Sequence, residues 1–275
     1  MKNLYRQILI VALFSTISLP TVATADPKAD AYKYSVEARA AANNKQWDKA
    51  IELFKKAVQA DPKDANNHSN LGLAYKGAGK LDEAAKAFTE AIDIQPNDTA
   101  AYINRGIVYT SQQKYDKAVA DLNTAVKQKP DSISAHRYRA FAYLGQKDFQ
   151  KAIDDYNVVL KGKEDNEVLD RRGFAYWNLK EYDKAIADFS TIIKNKPNDK
   201  AGYLDRSYVY ELKKDYKNGI VDCDKVLSMD PNNEDAKNRK IRLEYQEKQA
   251  NATPTPTPRP RRTLPPEKTP TPHKP

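Results

Sequence analysis

The sequence predicts an all-α solenoid of about six helix hairpins, closed by a polar C-terminal helix. Three observations predict it: prolines at a fixed spacing, small residues that recur in two columns at that spacing, and large residues that recur in a third. Away from the chain ends, prolines fall at 62, 96, 130, 197 and 231, with gaps of 34, 34, 67 and 34 residues, the long gap being two periods. A fixed period of this size marks a row of supersecondary units that cannot bury their faces alone and stack on their neighbours.

Laid out at that period, the units run about 31–64, 65–98, 99–132, 133–165, 166–199 and 200–233; the fourth is one residue short and lacks its proline. Ala38, Gly72, Gly106, Ala140, Gly173 and Ser207 form one small column, and Ala50, Ala84, Ala118, Ala152, Ala185 and Gly219 form another. Phe54, Phe88, Leu122, Tyr156, Phe189 and Cys223 make the large column, and Tyr75, Tyr109, Tyr143, Tyr176 and Tyr210 an aromatic one. Small residues let two helices approach, and large ones fill the space beside them. Each unit breaks in its middle, as at Gly77-Ala-Gly79 and Gln112-Gln-Lys114. Asp48, Asp82, Asp116 and Asp183 then start the second helix, where a carboxylate suits the positive helix end, and the proline stops it. Residues 234 to about 250 read as a capping helix, with Ile241, Leu243 and Tyr245 available to cover the last hairpin.

These units resemble the tetratricopeptide repeat family, most closely at Leu71-Gly72, Tyr75, Ala84, Phe88, Ala91 and Pro96, and the resemblance covers about 203 of 275 residues. It implies a right-handed superhelix whose concave groove is lined by the first helix of each pair. The family's carboxylate clamp for chain termini is incomplete: Asn70 and Asn104 offer amides, but Ser35 with Arg39, and Ser69 with Leu73, stand where its Lys and second Asn belong.

Two further columns change together. Arg105, Arg139, Arg172 and Arg206 recur in units three to six, and Asp121, Asp155, Asp188 and Asp222 recur in the same four. A half-buried charge needs its partner, so an Arg–Asp pair between helices is expected, four times over. The alternative is that these arginines bind an acidic ligand.

The ends differ from the body. Lys2 and Arg6 precede an apolar run, Ile8 to Phe14, that fades towards Leu19 and is followed by Ala23-Thr24-Ala25. Residues 1–25 are therefore expected to be a cleavable signal, too short in its apolar part to cross a bilayer, and the mature chain to be exported to the periplasm or outside the cell. No cysteine stands at the cleavage point for lipid attachment. Residues 251–275 hold nine of the 16 prolines, in Thr-Pro repeats around Arg259-Pro-Arg-Arg262. Such a tail is expected to be extended and polyproline-like. The expected role is a solvated spacer, or else an arm for anionic envelope surfaces or a proline-motif ligand. The net charge of +9 includes +2 from the leader and +4 from the tail, leaving the body at +3, which argues against a nucleic-acid partner. The single cysteine, Cys223, excludes an internal disulfide and, in the large column, is expected to be a buried, inert thiol.

No enzyme motif stands out. His68 and His136 are two units apart, His273 is in the tail, and Gly77-Ala-Gly79-Lys80 lacks the first glycine and the hydroxyl of a phosphate loop. No catalytic residue, cofactor or metal is expected. A protein or peptide partner is, through the outer arc of the first helices. Its central column reads Arg39, Leu73, Ile107, Phe141, Phe174 and Tyr208. Flanking positions add Arg137, Asp170 and Leu204 on one side and Leu144 and Trp177 on the other. Arg137, Phe141, Leu144, Asp170, Phe174, Trp177, Leu204 and Tyr208 are thus the candidate partner-binding residues, since exposed aromatics beside a charge make binding hot spots. The competing reading packs some of them between adjacent first helices.

Overall fold

The computed structural model describes residues 26–252, so the expected signal and nearly all of the basic tail lie outside the described residues. All thirteen regular elements among the described residues are α-helices, and the chain divides into two compact units that meet between Val158 and Val159. The first holds α1 (Pro27–Asn43), α2 (Trp47–Ala60), α3 (Ala65–Gly77), α4 (Leu81–Ile94), α5 (Thr99–Ser111), α6 (Tyr115–Gln128), α7 (Ile133–Gly145) and most of α8 (Phe149–Leu160). The second holds α9 (Asn166–Asn178), α10 (Tyr182–Asn195), α11 (Lys200–Lys213), α12 (Tyr216–Met229) and α13 (Glu234–Asn251). Within each unit consecutive helices pack in pairs, and first helices of neighbouring hairpins also touch: α3 with α5, α5 with α7, α11 with α13.

Helix starts follow two different rules. First helices are capped by a side chain: Asp64, Asp98, Ser132, Asp165, Asp199 and Asn233 each accept from a backbone N–H of the first turn. Each such bond satisfies a donor that the helix leaves orphaned, worth about 1 kcal/mol. Second helices vary: Asp148 and Asp215 accept from the backbone N–H groups of Lys151 and Asn218 at the starts of α8 and α12, while four others carry the expected aspartate in the first turn without a cap bond. Asp48, Asp82, Asp116 and Asp183 lie one residue inside their helices, and the caps, Gln46, Lys80, Lys114 and Glu181, make no side-chain cap bond. The carboxylates instead reach the next hairpin. Lys80 Nζ lies 2.9 Å from Asp48, Gln112 Nε2 2.9 Å from Asp82 and Gln146 Nε2 2.6 Å from Asp116. Lys213 does the same for Asp183, at 2.5 Å.

The mid-hairpin turn needs one left-handed residue. Gly79 fills that place in the second hairpin, but Lys45, Gln113, Lys147, Lys180 and Lys214 fill it elsewhere at φ between 57° and 65°.

The core is a small-against-large fit repeated along the chain. A Cβ on Gly72 would lie 2.9 Å from the Phe88 ring, and one on Gly173 would lie 2.9 Å from Phe189, so the aromatic takes the space the glycine vacates. The last hairpin replaces that contact with a polar one: Ser207 Oγ lies 3.2 Å from Cys223 Sγ and donates to the Gly219 carbonyl at 2.9 Å. Cys223 is fully buried, and burial pushes its thiol above the usual range. The capping expectation needs one correction. Ala236 and Leu243 of α13 are buried, but Ile241 and Tyr245 are 65% and 63% exposed. Positions 236 and 243 are about two turns apart on one stripe, which leaves 241 and 245 on the far face.

Candidate partner-binding surface

The paired columns meet as Arg–Asp forks inside the hairpins. Arg105 Nε and Nη2 donate to the two Asp121 oxygens at 2.8 Å, and Arg139 to Asp155 at 2.7 Å. Arg172 reaches Asp188 at 2.9 and 2.6 Å, and Arg206 reaches Asp222 at 2.9 and 2.7 Å. The remaining Nη1 of Arg105, Arg139 and Arg206 donates to Thr89, Asn123 and Ser190 of the preceding second helix. Column tyrosines cover the guanidinium carbons: Tyr109, Tyr143, Tyr176 and Tyr210 have ring centroids 5.7–5.9 Å away. Burial pushes Asp188 and Asp222 up from the carboxylate range, against the pull of their arginines. These arginines are structural clamps, since their donors are engaged within the fold.

The histidines are structural as well. Nε2 of His68 donates to the Pro62 carbonyl and Nε2 of His136 to Pro130, both at 2.9 Å, while Nδ1 meets Glu90 at 3.0 Å and Asp155 at 2.7 Å. Tyr203, in the same column, donates to the Pro197 carbonyl at 3.4 Å. Among the described residues no group of His, Cys, Asp or Glu is arranged to hold a metal, and no helix is long and apolar enough to cross a membrane.

Of the candidate residues, Arg137, Phe141 and Leu144 lie on α7 in the first unit, with Phe141 exposed and the other two half-buried. The other five lie in the second unit. Asp170, Phe174 and Trp177 share one face of α9, while Leu204 and Tyr208 sit one turn apart on α11. Trp177 joins the helices: its ring centroid is 4.9 Å from Phe174 and 5.1 Å, edge-on, from Tyr208. It also contacts the buried Phe189 at 6.3 Å, so part of this residue belongs to the core. Phe174 remains 38% exposed.

Two residues not predicted for the surface complete it. Arg239 of α13 donates through Nη1 to the Leu204 carbonyl and lies 5.3 Å over the Tyr208 ring. Asp205 is pushed up to about 6, by burial first and then by the charge of Asp170, with Arg239 pulling the other way. Burial also raises Asp170. The second-unit face therefore sets an aromatic cluster beside two crowded carboxylates. Read as a polar capping helix, residues 234–250 give no sequence signal for Arg239 at this surface.

A tetratricopeptide repeat family model matches residues 25–65, 35–99, 69–133 and 103–167, and a second matches residues 167–199 and 201–233. The chain belongs to the tetratricopeptide repeat family. Its fold is the all-α superhelical repeat fold of that family, which supports protein–protein interaction and is generally non-catalytic. Similar solved structures include the C-terminal part of a repeat protein from Cytophaga hutchinsonii, at 20% identity and TM-score 0.66, covering 78% of this chain and 88% of that one. A tetratricopeptide repeat protein from Parabacteroides merdae aligns at 20% identity and TM-score 0.64, over 81% of this chain and 90% of that one. YrrB, described as a TPR protein with an unusual peptide-binding site, aligns at 18% identity and TM-score 0.62, over 70% of this chain and 99% of its own. At these identities the likeness is one of fold. No curated protein matches the tetratricopeptide repeat chain in sequence.

Proposed function

We propose that this tetratricopeptide repeat protein is an exported, non-catalytic adaptor that holds a peptide or helix of a protein partner on the α9–α11 face. The observation that carries the reading is the Phe174–Trp177–Tyr208 cluster, which leaves aromatic surface open to solvent beside Asp170 and Leu204. Aromatic anchors rimmed by polar groups concentrate binding energy. Arg137, Phe141 and Leu144 of α7 are proposed as partner contacts of the first unit in their own right. Phe174→Ala tests the reading, since Trp177 also supports the core. The variant should keep its helical spectrum and lose partners in crosslinking from the native compartment. Retention of every partner sinks the proposal.

The signal-like start supports export, and Arg259-Pro-Arg-Arg262 supports a second reading, an envelope-associated component held by its basic tail. Deleting residues 251–275 separates the two. An adaptor keeps its distribution between soluble and envelope fractions, whereas a tail-held component moves to the soluble one.

A further inference from the structure

We propose that the basic tail of this chain, residues 253–266, docks on the α9–α11 face and is displaced from it by the partner. The inference rests on the reading of that face as a peptide dock, and it adds the occupant present when no partner is bound. The tail, outside the described residues, carries Pro254, Pro256, Pro258 and Pro260, with Arg259, Arg261 and Arg262 and then Leu264-Pro265-Pro266. Proline-rich segments of this kind dock in aromatic-lined grooves, because a polyproline helix loses little freedom on binding. Phe174, Trp177 and Tyr208 provide such a lining within the same unit, the Trp177 ring centroid lying 4.9 Å from Phe174 and 5.1 Å from Tyr208.

The charges are complementary. The segment from 253 to 266 bears three arginines and no acid. On the face, Asp170 is exposed and Asp205 half-buried, and neither forms an ion pair among the described residues. Burial raises both carboxyls, and the charge of Asp170 raises Asp205 further. Asp199 and Glu167 add negative charge around them. The nearby cations are held elsewhere: Arg171 lies 3.5 Å from Glu167, and Arg239 donates to the Leu204 carbonyl. An arginine arriving there meets carboxylates that the fold leaves short of positive charge. The exposed stripe of α13, Ile241 and Tyr245, is a poorer seat for a basic segment, because Lys237, Lys240 and Lys248 stand along it.

The distances agree with the charges. Consecutive helices pack out and back, so α9, α11 and α13 run in one direction, and the tail leaves α13 at the end of the face that holds Trp177. Arg239 marks the level of Leu204 and Tyr208 on α13, and Asn251 is twelve residues beyond it, roughly 18 Å at the helical rise. With neighbouring helix axes about 10 Å apart, a chain returning from there needs roughly 20 Å to reach Asp205 and roughly 27 Å to reach Asp170. Along an extended segment at about 3.1 Å per residue, Arg259 lies ~22 Å and Arg262 ~31 Å beyond Ala252. These two arginines are one polyproline turn apart, so they share an edge at about the spacing of two helices. A short tether keeps its ligand at about millimolar effective concentration. A weak contact is therefore occupied, and a tighter partner still displaces it.

The test follows the Trp177 indole N–H by NMR in the full chain carrying Thr263→Cys, with a nitroxide on the new thiol. The protein's own Cys223 is fully buried and stays unlabelled. A docked tail should remove most of the Trp177 signal, which returns when the nitroxide is reduced. Adding Arg259→Gln, Arg261→Gln and Arg262→Gln should restore at least half of it with the label still active, and so should Asp170→Asn with Asp205→Asn. Equal weakening in the parent and in both charge-removed variants means a tail that is only tethered nearby, and overturns the proposal. A signal untouched by the label overturns it as well. Weakening that fades on dilution assigns the contact to the tail of a second copy and also counts against it. Partner capture is a separate readout. Retention of every partner by Phe174→Ala sinks the adaptor reading whatever the label reports, whereas a silent label removes the tail from the face and leaves partner capture as it was.

Discussion

At the scale of single residues, the Arg–Asp forks make the sharpest energetic statement. Each aspartate is nearly enclosed, with side-chain exposure of 3–8% in the four pairs. Removing one partner strands the other, at a cost on the order of 3 kcal/mol. The chain also contains its own control. The second hairpin has Leu71 and Ala87 in these columns, both buried, in place of the charged pair. Arg105→Leu alone should therefore destabilise by about 3 kcal/mol. Arg105→Leu with Asp121→Ala should recover most of that in denaturant unfolding, because an apolar pair already works one hairpin earlier. A double variant no more stable than the single would show that the fork contributes more than mutual charge compensation. Asp205 carries a pH signature. An aspartate in the unfolded chain titrates near ~3.9, and in the fold Asp205 is raised to about 6. The fold thus prefers the protonated carboxyl, so this residue's stabilising contribution is present below the unfolded value and is lost as pH rises through the folded one. Asp205→Asn should melt higher than the parent protein at about pH 8 and at the same temperature near about pH 4. A pH-independent gap would contradict the burial of that charge.

At the scale of the element, the repeated turn accepts strain for which only one hairpin has an ideal residue. Lys45 and its four counterparts occupy left-handed backbone where Gly79 sits in the second hairpin. A side chain there costs roughly 1–2 kcal/mol, partly offset by glycine's greater freedom in the unfolded chain. Lys45→Gly should raise stability by up to about 1 kcal/mol in thermal unfolding, and a clear loss would mean that the lysine side chain supports the turn. The period located these turns, but the left-handed residue went unmarked because lysine gives no conformational signal. The second-helix aspartates show a related limit. Their place near the helix start could be read from the repeat, whereas their bonds to the next hairpin depend on how closely that hairpin stacks.

At the scale of the whole molecule, the second unit depends on the helix that covers its last core stripe. In the second unit that helix is α13, whose Leu243 is fully buried and lies 3.0 Å from where a Cβ on Gly219 would stand. Leu243→Ala should cost about 2–4 kcal/mol. It should also speed thiol labelling of Cys223, now fully buried beside Ser207, in the native protein. Unchanged labelling would show that α12 is sealed without the capping helix.

By itself the sequence determined the period, the hairpins, the matched small and large columns and the Arg–Asp pairing. The contacts among these join positions a fixed distance apart, as Gly72 and Phe88 are, and recur from repeat to repeat, the Arg–Asp pair in four of the six. Only the tertiary structure decided which first-helix residues face solvent and which meet a neighbour. Trp177 proved to be half core and half surface, and Arg239 came to lie over Tyr208. Such meetings depend on the angle at which one hairpin seats on the next. That angle arises from the summed packing of many side chains, and no single column carries it.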